Sequence, residues 1–352
     1  MMMENRNITR RQFISTTSTA AMLTMGGGLS QAFVEDSKAR SRKTVLSFYC
    51  DDTGPYRAGV EAFEKFLDYC VEQGISGESS VILGGSGRCM SRNSTDKERA
   101  YLKQVRRAFE CGIDTHMEIM THGGLFDFEK DSIPENIVHE GLWLHEPQVT
   151  VEEYQNYFAS IIAEGERAGI QFTGLTWPGC GCDACTKRYA ELRAAGVKDP
   201  NPAAWEALLN LIKQGKFRGR TVSCFFGSSE TDYGIHMKAS EGDHGVYDLM
   251  PNARDNFGIW DNDPARVNPD YYITKDGKSG IIVQHVRKGA PYCVWYGHWQ
   301  GLNPVNGVGW SAFTTVVDRI HEHLRDQVVW MRPSEITDRY HAAGGWSFLD
   351  SI

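Results

Sequence analysis

Strand-like apolar runs alternate with helical periodicity along most of the chain. The predicted strands cover residues 45–50, 80–83, 113–120, 171–177, 221–226, 281–285 and 292–297. The predicted helices cover about residues 57–73, 96–110, 150–168, 310–325 and 334–342. Thr150 and Glu153 have the spacing of a capping box at the start of the third helix. This alternation favours parallel strands joined by crossover helices, so the predicted fold class is α/β, as a barrel or an open doubly wound sheet.

The glycine-rich run after the second predicted strand bears on whether the protein binds a nucleotide. The run Gly84-Gly85-Ser86-Gly87 follows the second predicted strand, but it lacks the Lys-Ser/Thr ending of a P-loop and the spacing of a dinucleotide-binding turn. A nucleotide-dependent enzyme is therefore not expected. Residues 227–278 are rich in Asp, Asn, Gly and Pro with little periodicity, and they are predicted to form a long loop on the active-site face.

Composition and charge narrow the class of protein. The chain has 352 residues, 41% hydrophobic and 23% charged, which is typical of a well-packed globular protein. Its formal net charge of −8 argues against nucleic acid as a partner. No stretch reaches the roughly 18 uninterrupted apolar residues that a membrane span requires, so no transmembrane segment is expected.

The first 32 residues have the features of an export signal. Residues 9–14 read Thr-Arg-Arg-Gln-Phe-Ile, a weakly apolar stretch follows, and Ser30 and Ala32 are small residues placed for a cleavage site. The segment resembles a twin-arginine (Tat) signal peptide, which implies export through the Tat machinery to the periplasm or beyond. Residues 33–352 are expected to form a single α/β-barrel catalytic domain.

Ionisable side chains lie at the ends of three predicted strands, where a barrel places its reactive groups. They are Asp51 and Asp52 on the first strand and His298 on the last, together with His116, Glu118 and His122 on the third, where these three and Met120 follow one another at spacing two. Carboxylates and imidazoles are the ligands of a hydrolytic zinc site. The pattern therefore predicts a divalent-metal site, with one Asp ligating and the other handling protons.

Two of these strand ends resemble motifs of the polysaccharide deacetylase (carbohydrate esterase) superfamily. Ser47–Asp52 is similar to its first motif, an aromatic-rich strand ending in Asp-Asp, and Glu118–Gly123 is similar to its second. The resemblance implies an irregular barrel of about seven β/α units, acting with zinc on N- or O-acetyl groups of a glycan. It implies Asp51 as general base, Asp52 and His122 as metal ligands, and His298 as general acid or oxyanion partner.

The chain departs from the family pattern at two positions. Phe126 stands where a second His is expected four residues after His122, and Thr176 stands in place of the Arg of the third motif. A third metal ligand must come from elsewhere, and the candidates are Asp127, His116 and His145. These departures are consistent with an alternative function, in which the barrel binds a glycan but has lost catalysis.

Aromatic and acidic residues elsewhere support a carbohydrate substrate and a second enzymatic alternative. The acids Glu230, Asp232, Asp261 and Asp263 lie among Tyr233, Trp260, Tyr271 and Tyr272. Rings stack on the apolar faces of sugars while carboxylates accept hydrogen bonds from hydroxyls, so a glycoside hydrolase or polysaccharide lyase stays open. The expected substrate-binding residues are Trp177, Trp260, Asp261 and Trp299.

The nine cysteines fall into three groups. Cys180, Cys182 and Cys185 form a compact cluster that resembles the structural zinc knot of beta-galactosidase-type barrel glycosidases, and either structural zinc or a disulfide is predicted there. Cys89 and Cys224 are candidates for a fourth zinc ligand. The remaining cysteines are predicted to be small buried core residues, namely Cys50, Cys70, Cys111 and Cys293.

Overall fold

Parallel strands alternate with helices throughout the computed structural model, which describes residues 42–56, 59–135, 138–179, 183–197, 199–230 and 234–352. Its strands in these ranges are β1 Thr44–Thr53, β2 Gly77–Val81, β3 Ile113–Met117, β4 Gly174–Thr176, β5 Thr221–Phe225, β6 Ile235–Glu241, β7 His244–Leu249, β8 Tyr292–His298 and β9 Val328–Trp330. The longer helices are α1 Val60–Gln73, α2 Asp96–Ala108, α4 Val151–Arg167, α5 Asp183–Ala194, α6 Pro202–Lys213, α8 Ile281–Arg287, α10 Trp310–His323 and α11 Pro333–Ala343. The four-residue helices are α3 Glu140–Trp143, α7 Pro269–Tyr272 and α9 Trp299–Leu302.

The sheet runs in the order β6-β7-β5-β4-β3-β2-β1-β8, with β9 beside the start of β1. All of these strands pair in parallel except β6, which pairs antiparallel with β7. Beyond β7 the chain reaches β8, because the N–H groups of Asn252 and Ala253 donate to the carbonyl of Val294 at 2.8 and 3.1 Å. This pairing closes seven strands into a barrel, and the predicted α/β-barrel class is confirmed.

Two apolar clusters fill the space inside and outside this barrel. The inner cluster joins side chains from distant strands, among them Tyr49, Tyr247, Leu249 and Val294. The larger cluster lies between the strands and the surrounding helices. Strand residues therefore alternate between the two layers, and odd-numbered residues of β1 point inward until the strand ends at the site described below.

Most of the helices and strands that the sequence predicts are present in the structure. The predicted capping box is present, since the Thr150 side chain accepts from the N–H of Glu153 and the Glu153 carboxylate accepts from the N–H of Thr150. None of the helices in the described ranges is long and apolar enough to span a membrane. The predicted signal peptide at residues 1–32 lies outside the residues that the structure describes.

Two predicted elements are wrong. Residues 281–285, predicted as a strand because they form an apolar run, begin helix α8, which is the crossover between β7 and β8. The place beside β8 is taken instead by Asn252 and Ala253. The segment 227–278, predicted as a long loop, contains the hairpin of β6 and β7. Its polar composition hid the strand alternation, because β6 exposes one face to solvent.

Candidate active site

Five ionisable side chains converge where β1, β3 and β8 end. Asp51 on β1 lies opposite His298 on the neighbouring β8. Asp52 follows Asp51, and Glu118 and His122 come from the segment directly after β3. Because parallel strands present their carboxyl ends at the same edge, residues far apart in sequence meet here.

Asp52, Glu118 and His122 form the closest cluster. One ligand atom from each lies within 4.8 Å of the others. His122 Nδ1 is 3.2 Å from Asp52 Oδ1, and His122 Nε2 is 3.7 Å from Glu118 Oε1. Asp52 is 7% exposed and Glu118 is 2% exposed. Buried carboxylates this close repel each other, so the arrangement requires positive charge or protons nearby.

A bulge brings two adjacent carboxylates to one place. The pairing of β1 with β2 shifts register between Cys50 and Thr53, and Asp52 has a positive φ of 64°. Its N–H donates to Glu118 Oε2 at 2.9 Å. A regular strand would send neighbouring side chains to opposite faces, and the bulge removes that constraint. Asp51 and Asp52 therefore both lie near Glu118.

The segment carrying Glu118 and His122 is a turn and does not continue β3. β3 ends at Met117, and Ile119 and His122 have positive φ values of 49° and 53°. The sequence predicts that residues up to His122 continue one face of this strand, and that prediction is wrong beyond Met117, where β3 ends. Strain of this kind persists where surrounding contacts enforce it. Here the buried Glu140 carboxylate accepts from the Thr121 N–H and hydroxyl, both at 2.9 Å.

Burial and mutual repulsion shift the carboxyl pKa values. Burial raises the pKa of Glu118 well above its usual range, and the Asp52 carboxylate raises it further. Burial also raises the pKa of Asp51, with added repulsion from Glu118, from the inward-facing Glu78 and from Asp52. Asp51 Oδ1 is buried and has no hydrogen-bond partner among the described residues. A bound cation would relieve these effects and favour the ionised carboxylates.

His298 is held by a second carboxylate. Asp255 Oδ2 accepts from His298 Nδ1 at 2.8 Å and from its backbone N–H at 3.2 Å. Asp255 Oδ1 accepts from the N–H of Phe257 at 2.8 Å, which fixes the carboxylate. Burial alone would lower the pKa of His298, but the hydrogen bond and charge of Asp255, with Asp52 and Glu118, raise it overall. The bond at Nδ1 leaves Nε2 as the nitrogen that can exchange a proton with a substrate.

This pair gives a pH-dependence prediction. If His298 acts as a general acid in a reaction at this site, it must be protonated, so kcat for that reaction is expected to fall as pH rises through the raised pKa of His298. In Asp255→Asn the hydrogen bond to a charged carboxylate is lost, the pKa of His298 falls, and the alkaline limb of the kcat profile moves to lower pH. Steady-state rates across pH for both proteins check this. An unchanged alkaline limb would exclude His298 as the titrating acid.

A cavity of about 300 Å³ opens beside the cluster. It is lined by Asp52 and His122 and by Tyr56, Ile82 and Met90, among others. Gln300 lies at the same site, donating from Nε2 to Asp52 Oδ2 at 2.7 Å. Its volume is at the lower end of the range of small-molecule binding pockets.

The three residues considered as a third metal ligand lie elsewhere. His116 is inside the barrel, with Nε2 2.7 Å from Ser223 Oγ, and burial lowers its pKa to about 3. His145 Nδ1 bonds the Gly141 carbonyl at 3.0 Å. Asp127 forms a turn and an ion pair with Lys130 at 2.7 Å. Glu118, four residues before His122, joins the cluster instead.

Phe126 and Thr176, the two residues that depart from the deacetylase pattern, both make contacts inside the protein. Phe126 is 5% exposed and packs edge-on against Phe128. Thr176 Oγ1 lies 3.2 Å from His116 Nδ1 and donates to Glu78 Oε1 at 3.4 Å, inside the barrel. Neither residue contributes a ligand atom to the cluster of Asp52, Glu118 and His122.

The four predicted substrate-binding residues lie in different environments. Trp299 is fully buried and packs edge-on against Phe63 and Phe66, so it belongs to the core and does not reach a substrate, which corrects the prediction. Trp177 is 9% exposed and packs against neighbouring aromatic rings in the layer outside the barrel. Trp260 and the adjacent Asp261 are exposed.

None of the cysteines among the described residues belongs to the cluster of Asp52, Glu118 and His122. Cys185, in α5, is disulfide-bonded, whereas Cys180 and Cys182 lie outside the described residues. Cys89 and Cys224, considered as zinc ligands, are free and buried. Burial raises the pKa of the Cys224 thiol well above its usual value, which favours the neutral thiol over a thiolate ligand. The remaining free cysteines are buried, as expected of core residues: Cys50, Cys70, Cys111 and Cys293.

Sequence reasoning missed three contributors to the site. The sequence places Glu118 on the third predicted strand without a role as ligand, although its spacing of four from His122 is a usable signal. Asp255 and Gln300 carry no local signal, because their roles depend on long-range contacts with His298 and Asp52. The acids Glu230 and Asp263 instead form surface ion pairs with arginines, and Asp232 lies outside the described residues.

Comparisons with known proteins give distant structural similarities to solved deacetylases. No family model and no curated protein matches the chain. A solved deacetylase with its substrate is 10% identical over 86% of this chain and 92% of its own, with a TM-score of 0.41. A mutant CE4 family pseudoenzyme with restored enzymatic activity is 8% identical over 84% and 68%, with a TM-score of 0.37. A peptidoglycan N-acetylglucosamine deacetylase is 11% identical over 82% and 87%, with a TM-score of 0.35.

Proposed function

We propose that the protein is a metal-dependent hydrolase that removes acetyl groups from a carbohydrate. The observation that carries this proposal is the convergence of Asp52, Glu118 and His122 within 4.8 Å, beside Asp51 and the His298–Asp255 pair. A ligand cluster flanked by a separate carboxylate and a separate imidazole provides the groups for metal-assisted hydrolysis.

The donor set fits a divalent cation. Two carboxylates and one imidazole are oxygen and nitrogen ligands that suit zinc and also manganese. Asp52, Glu118 and His122 would hold the ion, and the cavity beside Asp52 and His122 would admit the substrate. A bound divalent cation supplies polarisation of the acyl carbonyl and lowers the pKa of water toward about 7. We propose zinc, as the resemblance to the deacetylase superfamily implies.

The protein's own residues supply the proton transfers. Asp51 accepts a proton from the attacking water, and His298 donates one from Nε2 to the departing amine or alcohol. Asp255 accepts the Nδ1 hydrogen of His298 and stabilises the imidazolium form. Gln300 holds Asp52 by its amide, so the ligand keeps its orientation when the substrate enters.

The choice of substrate and location rests on the sequence. The similarity of residues 47–52 and 118–123 to deacetylase motifs supports an acetylated glycan. Export by the Tat route rests on the Arg10-Arg11 motif and the cleavage-site pattern that follows it. N-terminal sequencing of the protein recovered outside the cytoplasm tests this part of the proposal.

Metal content and acetate release test the activity together. We expect one equivalent of divalent metal per chain and acetate release from an acetylated glycan, with both lost on chelation and restored by adding the metal back. We expect Asp52→Ala to remove both. New reducing ends without acetate would support the glycoside hydrolase alternative. Glycan binding without metal or turnover would support a non-catalytic barrel, and either result overturns the proposal.

A further inference from the structure

A second cavity, of about 370 Å³, lies between helix α5 and the ends of β4 and β5. Trp177 follows β4, Phe226 follows β5, and α5 contributes Tyr189 and Arg193 to the lining. No described residue lines both this cavity and the cavity at the candidate active site. Its volume is within the range of small-molecule binding pockets, so it is a candidate for a separate binding site.

Helix α5 leaves this space open. Of its twelve residues only Cys185 and Leu192 are buried, whereas a helix that covers a core normally buries an apolar stripe along its whole length. Arg188 holds the helix by donating to the Glu146 carboxylate from Nε at 2.8 Å and from Nη2 at 2.7 Å. Tyr189, one turn after Cys185, borders the cavity and is half-buried. The helix therefore borders the space without filling it.

Aromatic rings form the walls of this cavity at right angles to one another. The ring centroid of His145 is 5.0 Å from that of Tyr189 and 5.7 Å from that of Trp177, with interplanar angles of 88° and 81°. Trp177 and Phe226 are 5.1 Å apart at 89°. A flat aromatic ring fits such walls, because it can stack on one of them and present its edge to the next.

His145 supplies a hydrogen-bond acceptor to this cavity. Its Nδ1 lies 3.0 Å from the Gly141 carbonyl, so Nδ1 carries the hydrogen. Burial lowers the pKa of His145, against the opposing effect of the Gly141 carbonyl, and the ring is neutral. Nε2 makes no hydrogen bond within the described part of the chain. It can therefore accept a hydrogen bond from a ligand hydroxyl.

Arg193 supplies a positive charge at the same cavity. Its side chain is exposed and forms no ion pair with any described residue. Two acids, Glu146 and Asp199, act electrostatically on His145 from nearby, but Glu146 is already paired with Arg188 at 2.7 Å. A guanidinium without a carboxylate partner is suited to bind a carboxylate, since it offers paired N–H donors.

We propose that this cavity binds a small hydroxylated aromatic carboxylate. The aromatic ring lies among Trp177, Tyr189 and Phe226, the carboxylate accepts hydrogen bonds from Arg193, and the hydroxyl donates to His145 Nε2. An uncharged sugar gains nothing from the guanidinium, so the charge of the cavity favours an acid over a glycan. The inference does not depend on the proposed hydrolysis, because none of the residues at the candidate metal site takes part in it.

Titration calorimetry with 3- and 4-hydroxybenzoate on the full chain tests this site. We expect the better of the two to bind with a Kd below about 1 mM. Arg193→Gln is expected to weaken that binding at least about ten-fold, the range for a hydrogen bond to a charged group, and to leave binding of the neutral 4-hydroxybenzamide unchanged. Asp199→Asn, which removes a negative charge nearby, is expected to strengthen binding of the acid. Both side chains are exposed, so these variants are expected to fold.

Further variants test the contacts with the ring and the hydroxyl. Tyr189→Ala is expected to weaken binding of every aromatic probe. In His145→Phe the hydroxybenzoates are expected to bind no more tightly than benzoate, because the acceptor of the hydroxyl is lost. Thermal unfolding checks that both variants keep the wild-type fold.

Arg287→Gln is the matched control, because Arg287 is an exposed arginine on α8 that forms no ion pair with a described residue. It is expected to bind the hydroxybenzoates like the wild type. Three results would overturn the inference. These are no saturable binding of either hydroxybenzoate, equal binding of cyclohexanecarboxylate or N-acetylglucosamine, and binding of the acids that Arg193→Gln leaves unchanged. The hydrolytic activity is measured separately, so a failure of the proposed function does not change the outcome of these titrations.

Discussion

We expect Glu118→Gln to weaken binding of the divalent cation by more than about 100-fold and to abolish acetate release. Substituting groups that merely support metal ligands costs about 10- to 100-fold in affinity, so loss of a charged ligand is expected to cost more. The amide of Gln still offers an oxygen to the Asp52 N–H and the Ser80 hydroxyl, which bond Glu118 now. The variant is therefore expected to fold. Calorimetric titration with zinc and with manganese measures the affinity.

Glu78 provides the matched control for this experiment. It is as buried as Glu118 and also faces the barrel interior, but it lies outside the ligand cluster. Glu78→Gln is expected to bind the ion with wild-type affinity. If Glu118→Gln kept its affinity within about three-fold while thermal unfolding showed an intact fold, Glu118 would not be a ligand.

The second large effect is expected at Asp51. Asp51→Asn should lower kcat for acetate release by about 10²- to 10⁴-fold, the range for loss of a general base. The metal content should stay at one equivalent, because Asp51 lies outside the cluster of Asp52, Glu118 and His122. Substituting an amide for a buried carboxyl whose neighbours raise its pKa is not expected to destabilise the fold.

Asp127→Asn is the control, because it removes a carboxylate that lies away from the candidate site. Asp127 forms only a turn and an ion pair with Lys130, and kcat is expected to be unchanged. Retention of more than about a tenth of the activity in Asp51→Asn would show that another group accepts the proton. Loss of metal from the same variant would show instead that Asp51 is itself a ligand.

Local sequence signals predicted much of the fold. The capping box at Thr150 and Glu153 works over three residues, so it appears in the structure where the sequence placed it. The Ile281 segment shows the opposite case. Its β-branched residues suggest a strand, but the space beside β8 is occupied by Asn252 and Ala253, and the segment folds as a helix. Propensity is overridden where the tertiary structure has already filled the sheet.

The candidate site likewise contains residues that the sequence predicted and one residue whose role it did not predict. The sequence predicts Asp51, Asp52 and His298 on one face because a barrel collects its strand ends there, and the structure pairs Asp51 directly with His298 on the neighbouring strand. The ligand role of Glu118 was not predicted. A positive φ at Ile119 turns the chain after β3, and no periodicity along the sequence encodes that turn.

By itself the sequence determined the alternation of strands and helices, the parallel sheet and the strand ends that carry Asp51, Asp52 and His298. These features depend on side-chain period and on contacts between near neighbours, which a sequence states directly. The tertiary structure alone decided that Glu118 joins Asp52 and His122, and that Asp255 holds His298. It also decided which aromatic rings stay exposed, since Trp299 is buried and Trp260 is not. These outcomes depend on contacts between segments that are far apart in the sequence, and such contacts form only when the folded chain packs to native density.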